Sequence, residues 1–253
     1  MQGKTLRSWA ERTGWSRYLE ASRTPLHSLI VLLPCLVAYE FALHWSDQAV
    51  RNGADMWLDR LLQDLGSSPA RWLPLATIVG LLAWHYVSGR PWSVQARVVG
   101  AMVIEAGAYA VLLAFVGGLV WTRLSSGSET IVASHDLSAG GSRADHGQWY
   151  AELVYCGAGV YEELLFRAIL LPITIAVLLR RLNRRRAVVV ALTLTSLLFA
   201  LVHYDVVNPY GEPFAWESYW FRTAAGLAFG LLFLARGLGI AAIAHVGYDL
   251  LAS

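Results

Sequence analysis

The chain is dominated by apolar stretches that are long enough to cross a lipid bilayer. Hydrophobic residues make up 56% of its 253 residues, and charged residues make up only 15%. A helix needs about 20 mainly apolar residues to cross roughly 30 Å of hydrocarbon. Seven segments meet or approach this requirement: Leu26–Trp45, Ala70–Ser88, Val98–Trp121, Trp149–Leu179, Ala187–His203, Trp216–Ala235 and Leu238–Leu251. The sequence therefore predicts an all-α, polytopic membrane helix bundle of about seven (seven to eight) transmembrane helices.

Basic residues are concentrated in alternate connections between these segments. Residues 1–25 carry Lys4 and four arginines, and five arginines lie between Arg180 and Arg186. The positive-inside rule places such connections in the cytoplasm. We therefore expect a basic cytoplasmic segment at 1–25 and a single transmembrane domain at 26–253. A single lysine among many arginines is typical of GC-rich bacterial genomes, so the expected location is the cell (inner) membrane. The expected partner is the lipid bilayer and not a nucleic acid, for which no binding module is evident.

The fourth, fifth and seventh apolar segments carry acidic, basic and histidine side chains that could form one site. Glu162, Glu163 and Arg167 lie in the fourth segment, His203 ends the fifth, and His245 lies in the seventh. Charged groups within a bilayer are costly and usually mark a chemical or transport site. The sequence therefore predicts that three helices contribute to one buried polar site.

Helical spacing predicts that the adjacent residues Glu162 and Glu163 point in different directions. Residues four apart lie nearly in line, whereas adjacent residues differ by about 100°. Glu163 and Arg167 are therefore expected to form an ion pair, and Glu162 is expected to face a cavity. The alternative is that both glutamates only tie helices together.

The same spacing applies to the histidines. His203 follows Phe199 by four residues, and Asp249 follows His245 by four. The Asp249 carboxylate could accept the second N–H of the imidazole and orient the ring. By itself, His203 is typical of an interfacial residue, and the His245–Asp249 pair could simply fill a polar gap. Gly226 and Gly230 would let a neighbouring helix approach closely and bring the histidine helices together.

These residues form three motifs in a fixed order. They are E-E-L-L-F-R at 162–167, F-A-L-V-H at 199–203 and H-V-G-Y-D at 245–249. In order, spacing and helix context they resemble the EExxxR, FxxxH and HxxxN/D signatures of the CPBP intramembrane proteases. That family is named for CAAX prenyl endopeptidases and bacteriocin-processing enzymes. The resemblance makes 149–253 the expected catalytic core.

The resemblance implies an intramembrane endopeptidase that cleaves a protein or peptide substrate at or in the membrane. It implies that Glu162 activates water with help from His203. It assigns His245 and Asp249 to stabilising the oxyanion or completing a polar site. The supporting residues are then Glu163, Arg167 and Phe199. Glu162, His203 and His245 could also ligate a divalent metal such as zinc, although the HExxH motif is absent.

Asp249 differs from the asparagine that many relatives of this family have. An amide can donate a hydrogen bond to an oxyanion, whereas an ionised carboxylate cannot. Asp249 is therefore expected to orient His245, hold a proton or bind a metal, and we favour the first of these roles.

Two other classes of protein remain open at the level of sequence. A proton-coupled transporter would also place glutamate and histidine within the membrane, and Glu40 and Glu105 could extend such a relay. No repeated halves are evident, although transporters often contain them. A non-catalytic membrane scaffold would tolerate the loss of Glu162, His203 and His245.

If the basic connections are cytoplasmic, helix lengths predict that the site lies in the middle to outer half of the bilayer. The site is then expected to open to the outside. In a variant without the two native cysteines, a cysteine introduced between Tyr204 and Tyr219 should react with an impermeant maleimide added to intact cells. A bound substrate peptide should protect it. Reaction only after the cells are permeabilised would contradict this orientation.

Overall fold

A computed structural model describes residues 14–45, 73–125, 147–207 and 211–252. Within these ranges the chain is all-helical and contains eight helices. They are α1 (Gly14–Ala21), α2 (Pro25–Trp45), α3 (Leu73–Val87), α4 (Ala96–Ser125), α5 (Gly147–Glu162, Glu163–Leu170 and Leu171–Leu178 in succession), α6 (Arg184–Leu201), α7 (Trp216–Arg236) and α8 (Leu238–Ala252). The predicted all-α fold is confirmed.

Each of the seven predicted spans contains a helix. Among the described residues, three helices are long and apolar enough to cross a membrane, at Pro25–Ala42, Ala96–Arg123 and Trp216–Arg236. The apolar helices α3 and α8 are shorter. The start of the predicted span at Ala70 lies outside the described residues. The three long apolar helices support the predicted membrane protein.

Helix α8 lies at the centre of the bundle. It packs against α2, α4, α5 and α7, and its buried residues include Gly239, Ala241, Ala242 and Ala244. Small residues let helix backbones approach closely when no water is available to drive association. A Cβ atom on Gly239 would lie 2.9 Å from the Cα atom of Ser28 in α2. His245 is therefore carried by the most enclosed helix of the protein.

Helix α5 changes its winding at the EExxxR motif. Residues Glu163–Leu170 form a π-helical segment, in which the Leu171 N–H bonds to the Phe166 carbonyl five residues earlier. Pro172 follows at once; it lacks an N–H, and in an α-helix its ring would clash with the carbonyl four residues before it. Wider turns of this kind are frequent at functional sites. The change in winding therefore begins at Glu163 and ends just before Pro172.

One residue separates α7 from α8. Gly237 has a φ of +86°, a conformation that glycine adopts without steric cost. A Cβ atom there would lie 3.2 Å from the Cα atom of Arg23. The Arg23 guanidinium in turn donates to the carbonyl of Ala235, so the residues that follow α1 cover this turn.

Helix α1 was not predicted, because residues 1–25 read as a polar basic segment. Its Tyr18 hydroxyl donates to Glu105 of α4. Arg236 at the end of α7 pairs with the same carboxylate, with nitrogen–oxygen distances of 2.5 and 2.8 Å, and also donates to Ser22. Burial and the bond to Glu105 raise the pKa of Tyr18 to about 12, so this phenol remains a donor. Glu105 thus joins α1, α4 and α7.

Loss of the Glu105 carboxylate should destabilise this end of the bundle. Removing one partner of a buried pair leaves the other charge uncompensated, and we expect Glu105→Ala to cost about 2 kcal/mol or more. The melting temperature in detergent should fall by roughly 5–10 °C. Glu217→Ala removes an exposed carboxylate from α7 and is the matched control. Equal melting temperatures for the two variants would show that the Glu105 pair does not hold these helices together.

Candidate active site

A fully buried carboxylate, that of Glu163, links two helices of the site. Its side chain has 0% exposure, and its Oε1 atom lies 3.1 Å from Nη1 of Arg167. The same oxygen accepts a hydrogen bond from Nδ1 of His245 at 2.9 Å. Arg167 also donates from Nη2 to the carbonyl of Gly226 in α7, at 3.2 Å. The buried negative charge is therefore shared between a guanidinium and an imidazole.

Glu162 lies between the two histidines. Its Oε1 atom is 3.9 Å from Nε2 of His203, and its Oε2 atom is 3.7 Å from Nε2 of His245. The side chains of Glu162 and His203 keep 14% and 22% exposure, whereas Glu163 is fully enclosed. The structure thus brings together the three predicted helices, with Glu162 at the accessible side of the site.

Hydrogen bonding fixes the tautomer of His203. Its Nδ1 atom lies 2.7 Å from the carbonyl oxygen of Phe199, and a carbonyl can only accept. Nδ1 therefore carries a proton, and Nε2 is the accepting nitrogen of the neutral ring and faces Glu162. In His245, Nδ1 likewise donates to Glu163, so its Nε2 atom also faces Glu162. Two imidazoles present the same nitrogen to one carboxylate.

Asp249 lies at the edge of this group. Its Oδ2 atom is 3.8 Å from Nε2 of His245, while the hydrogen bond at Nδ1 is made by Glu163. The orienting role predicted for Asp249 stays a prediction, and Glu163 makes the hydrogen bond at Nδ1. Asp249 instead faces the same end of the imidazole as Glu162.

The Phe199 ring contacts three groups of the site. The Arg167 guanidinium lies 4.4 Å from its centroid, and the rings of His203 and His245 meet it edge-on at 5.0 and 6.0 Å. A cation over an aromatic face is attracted by the ring quadrupole. Phe199 therefore contacts Arg167 and both histidines, and its ring face stabilises the buried cation.

Glycines bring the helices of the site into contact. A Cβ atom on Gly159 of α5 would lie 2.8 Å from the backbone nitrogen of Val246, the neighbour of His245. A Cβ on Gly226 would lie 3.1 Å from the Phe199 ring and 3.2 Å from the Cα atom of Ser196. The predicted close approach at Gly226 is confirmed, and it joins α7 to the His203 helix.

The zinc hypothesis does not fit this arrangement. Within 14–45, 73–125, 147–207 and 211–252, no group of three His, Cys, Asp or Glu residues could hold a metal ion. Two ligands of one tetrahedral zinc lie about 3.3 Å apart, given bonds of about 2.0–2.1 Å. The separations of 3.7 and 3.9 Å between Glu162 and the imidazoles are wider.

Comparison with protein families identifies the C-terminal part of the chain. Residues 147–251 match the family described as Type II CAAX prenyl endopeptidase Rce1-like. Over these residues the chain is similar to that family. The match spans α5–α8 with all three motifs, and it confirms the resemblance to CPBP proteases. It does not reach α1–α4. No curated protein and no solved structure matches the chain significantly.

Two features of the Rce1-like segment were not found from the sequence. The bond between Glu163 and His245 joins residues 82 positions apart, and no spacing rule applies over that distance. Phe229 stacks on His245 with centroids 4.2 Å apart, although it lies outside the three motifs. Its position between Gly226 and Gly230 was the available signal, because that pair marks a close helix contact.

Gly159→Ala should force α5 and α8 apart. The new methyl group would meet the backbone of Val246, and overpacking of this kind costs about 1–3 kcal/mol. We expect the melting temperature in detergent to fall by roughly 2–10 °C. Gly118 of α4 has open space at its Cβ position, so Gly118→Ala should leave the melting temperature unchanged or higher. A stable Gly159→Ala variant would argue against this close contact.

Proposed function

We propose that the protein is an intramembrane endopeptidase in which Glu162 activates water for hydrolysis of a peptide bond. The single observation that carries this proposal is the position of the Glu162 carboxylate, 3.7 and 3.9 Å from Nε2 of two imidazoles. A water molecule can bridge separations of this size. The match of this segment to a family described as endopeptidases supports the same reaction.

The first step is attack of water on the scissile carbonyl. One oxygen of Glu162 accepts a proton from the water while the water oxygen bonds to the carbonyl carbon. The lone pair on Nε2 of His203 accepts the second water hydrogen and so aims the attacking oxygen. Nε2 is the accepting nitrogen of the neutral ring because Nδ1 donates to the Phe199 carbonyl. General-base assistance contributes about 10²–10⁴ in rate.

The second step is collapse of the tetrahedral intermediate. Its oxyanion needs a donor, and Nε2 of a doubly protonated His245 could supply one. The carboxylates of Glu163 and Asp249, 2.9 and 3.8 Å from the ring, would offset the positive charge. When the carbon–nitrogen bond breaks, protonated Glu162 returns its proton to the departing amine.

The remaining groups hold this arrangement in place. Glu163 accepts a hydrogen bond from Nδ1 of His245, and the positive charge of Arg167 balances the charge of Glu163. Asp249 cannot donate to the oxyanion when it is ionised. In this mechanism it therefore acts through the charge of His245.

The substrate class follows from the location of the site. Glu162 and the histidines lie among apolar helices, so a substrate must bring its scissile bond to the membrane. We propose a membrane-associated or exported protein or peptide. The transporter hypothesis has less support, since Glu105 is paired with Arg236 and Tyr18 in a separate cluster.

Glu162→Gln should abolish cleavage without unfolding the protein. The amide keeps the shape of the side chain but cannot accept a proton from water, so turnover should fall about 10²–10⁴-fold. The measurement is cleavage of candidate leader and C-terminal tail peptides by purified protein in lipid. Glu152→Gln, an exposed position on the same helix, is the matched control and should keep full activity.

Three outcomes decide between the functions considered. Full activity in Glu162→Gln would remove this residue from the mechanism. Substrate-dependent ion flux without cleavage would indicate a carrier. Loss of activity after chelation, with recovery on addition of zinc, would contradict a reaction that needs no metal.

A further inference from the structure

Phe229 of α7 lies face to face with His245. The ring centroids are 4.2 Å apart and the planes differ by 17°. Phe199 meets the same imidazole at an interplanar angle of 63° and a greater distance of 6.0 Å. Phe229 is also almost completely enclosed, with 2% exposure. A flat, buried ring therefore covers one whole face of the imidazole.

The Phe229 stack restricts rotation of the His245 ring, which the Glu163 hydrogen bond alone does not. The bond at Nδ1 fixes one end of the ring, but rotation about the terminal side-chain torsion of histidine is only weakly restricted. Nε2 is at the far end of the ring, 3.7 Å from Glu162 and 3.8 Å from Asp249. A tilt of the ring would carry Nε2 away from both carboxylates. A parallel ring against one face opposes that tilt.

Phe229 is itself held in place. Gly226 and Gly230 flank it on α7, and Cβ atoms there would collide with Ser196 and Leu192 of α6, so α7 packs tightly against α6. Tyr248 meets the Phe229 ring at 6.0 Å. This packing fixes the backbone that carries Phe229, and the ring itself is buried.

We propose that Phe229 is a positioning residue, which holds the imidazole plane of His245 so that Nε2 faces Glu162 and the substrate carbonyl. This role rests on the proposed endopeptidase function. It acts on the chemical step and not on substrate binding, because Phe229 is buried behind His245.

The test compares Phe229→Leu with Phe229→Tyr. Leucine keeps an apolar side chain but has no flat face, so kcat should fall about 10–100-fold with KM within about twofold, as small misplacements of catalytic groups do. Tyrosine keeps the flat ring and should restore most of kcat. Leu232→Ala, a buried position one turn farther along α7, controls for loss of packing and should affect kcat much less.

A spectroscopic readout tests the stack without substrate. With labelled histidine, the Cε1–H signal of His245 should be shifted upfield by the Phe229 ring current. It should return toward the ordinary range in Phe229→Leu but not in Leu232→Ala. An unchanged signal in Phe229→Leu would overturn the proposal, even if that variant proved too unstable for kinetics.

The kinetic outcomes separate the two proposals. If the wild type cleaves and Phe229→Leu has the same kcat, or if Leu232→Ala loses as much, the positioning role is wrong and the endopeptidase stands. If the wild type cleaves none of the peptides, the endopeptidase proposal fails. The catalytic role of Phe229 then fails with it, whatever the NMR signal.

Discussion

A carboxylate with no contact with solvent must be compensated within the protein, and Glu163 is such a group. Its partners are Arg167 on the same helix and His245 on α8. Removing one partner of a buried ion pair costs several kcal/mol, because the remaining charge is left uncompensated. The arrangement therefore holds α5 and α8 in one register. The hydrogen bond from Nδ1 of His245 to Glu163 also orients the imidazole ring. The same carboxylate therefore contributes both to helix packing and to the site.

Close packing makes this charge arrangement possible. Gly159 lets α5 approach the backbone of Val246, and Gly226 lets α7 approach Ser196 and the Phe199 ring. Apolar side chains gain little from associating in a lipid environment, so backbone proximity and internal hydrogen bonds carry more of the association. The histidines consequently reach Glu162 from two different helices. The Glu105 cluster ties α1, α4 and α7 in a similar way, outside the site.

The two glutamates illustrate how far spacing carries a prediction. The i, i+4 rule indicated a pair between Glu163 and Arg167, and the structure contains that ion pair. The same rule, applied to His245 and Asp249, favoured Asp249 as the group that orients the ring. In the structure a fully buried carboxylate on a neighbouring helix, that of Glu163, reaches Nδ1 at 2.9 Å, while Asp249 lies 3.8 Å from Nε2. Spacing within one helix cannot show that a residue of another helix bonds to the same imidazole.

The sequence by itself determined that this is a helical membrane protein with ionisable groups on three apolar segments, because apolar length and motif order are properties of the linear chain. It also indicated the helix contact at Gly226. Only the tertiary structure decided which nitrogen of each histidine faces Glu162, that α5 becomes π-helical at Glu163, and that Phe229 stacks on His245. These features depend on distances between helices, which arise from packing among residues that are remote in the chain.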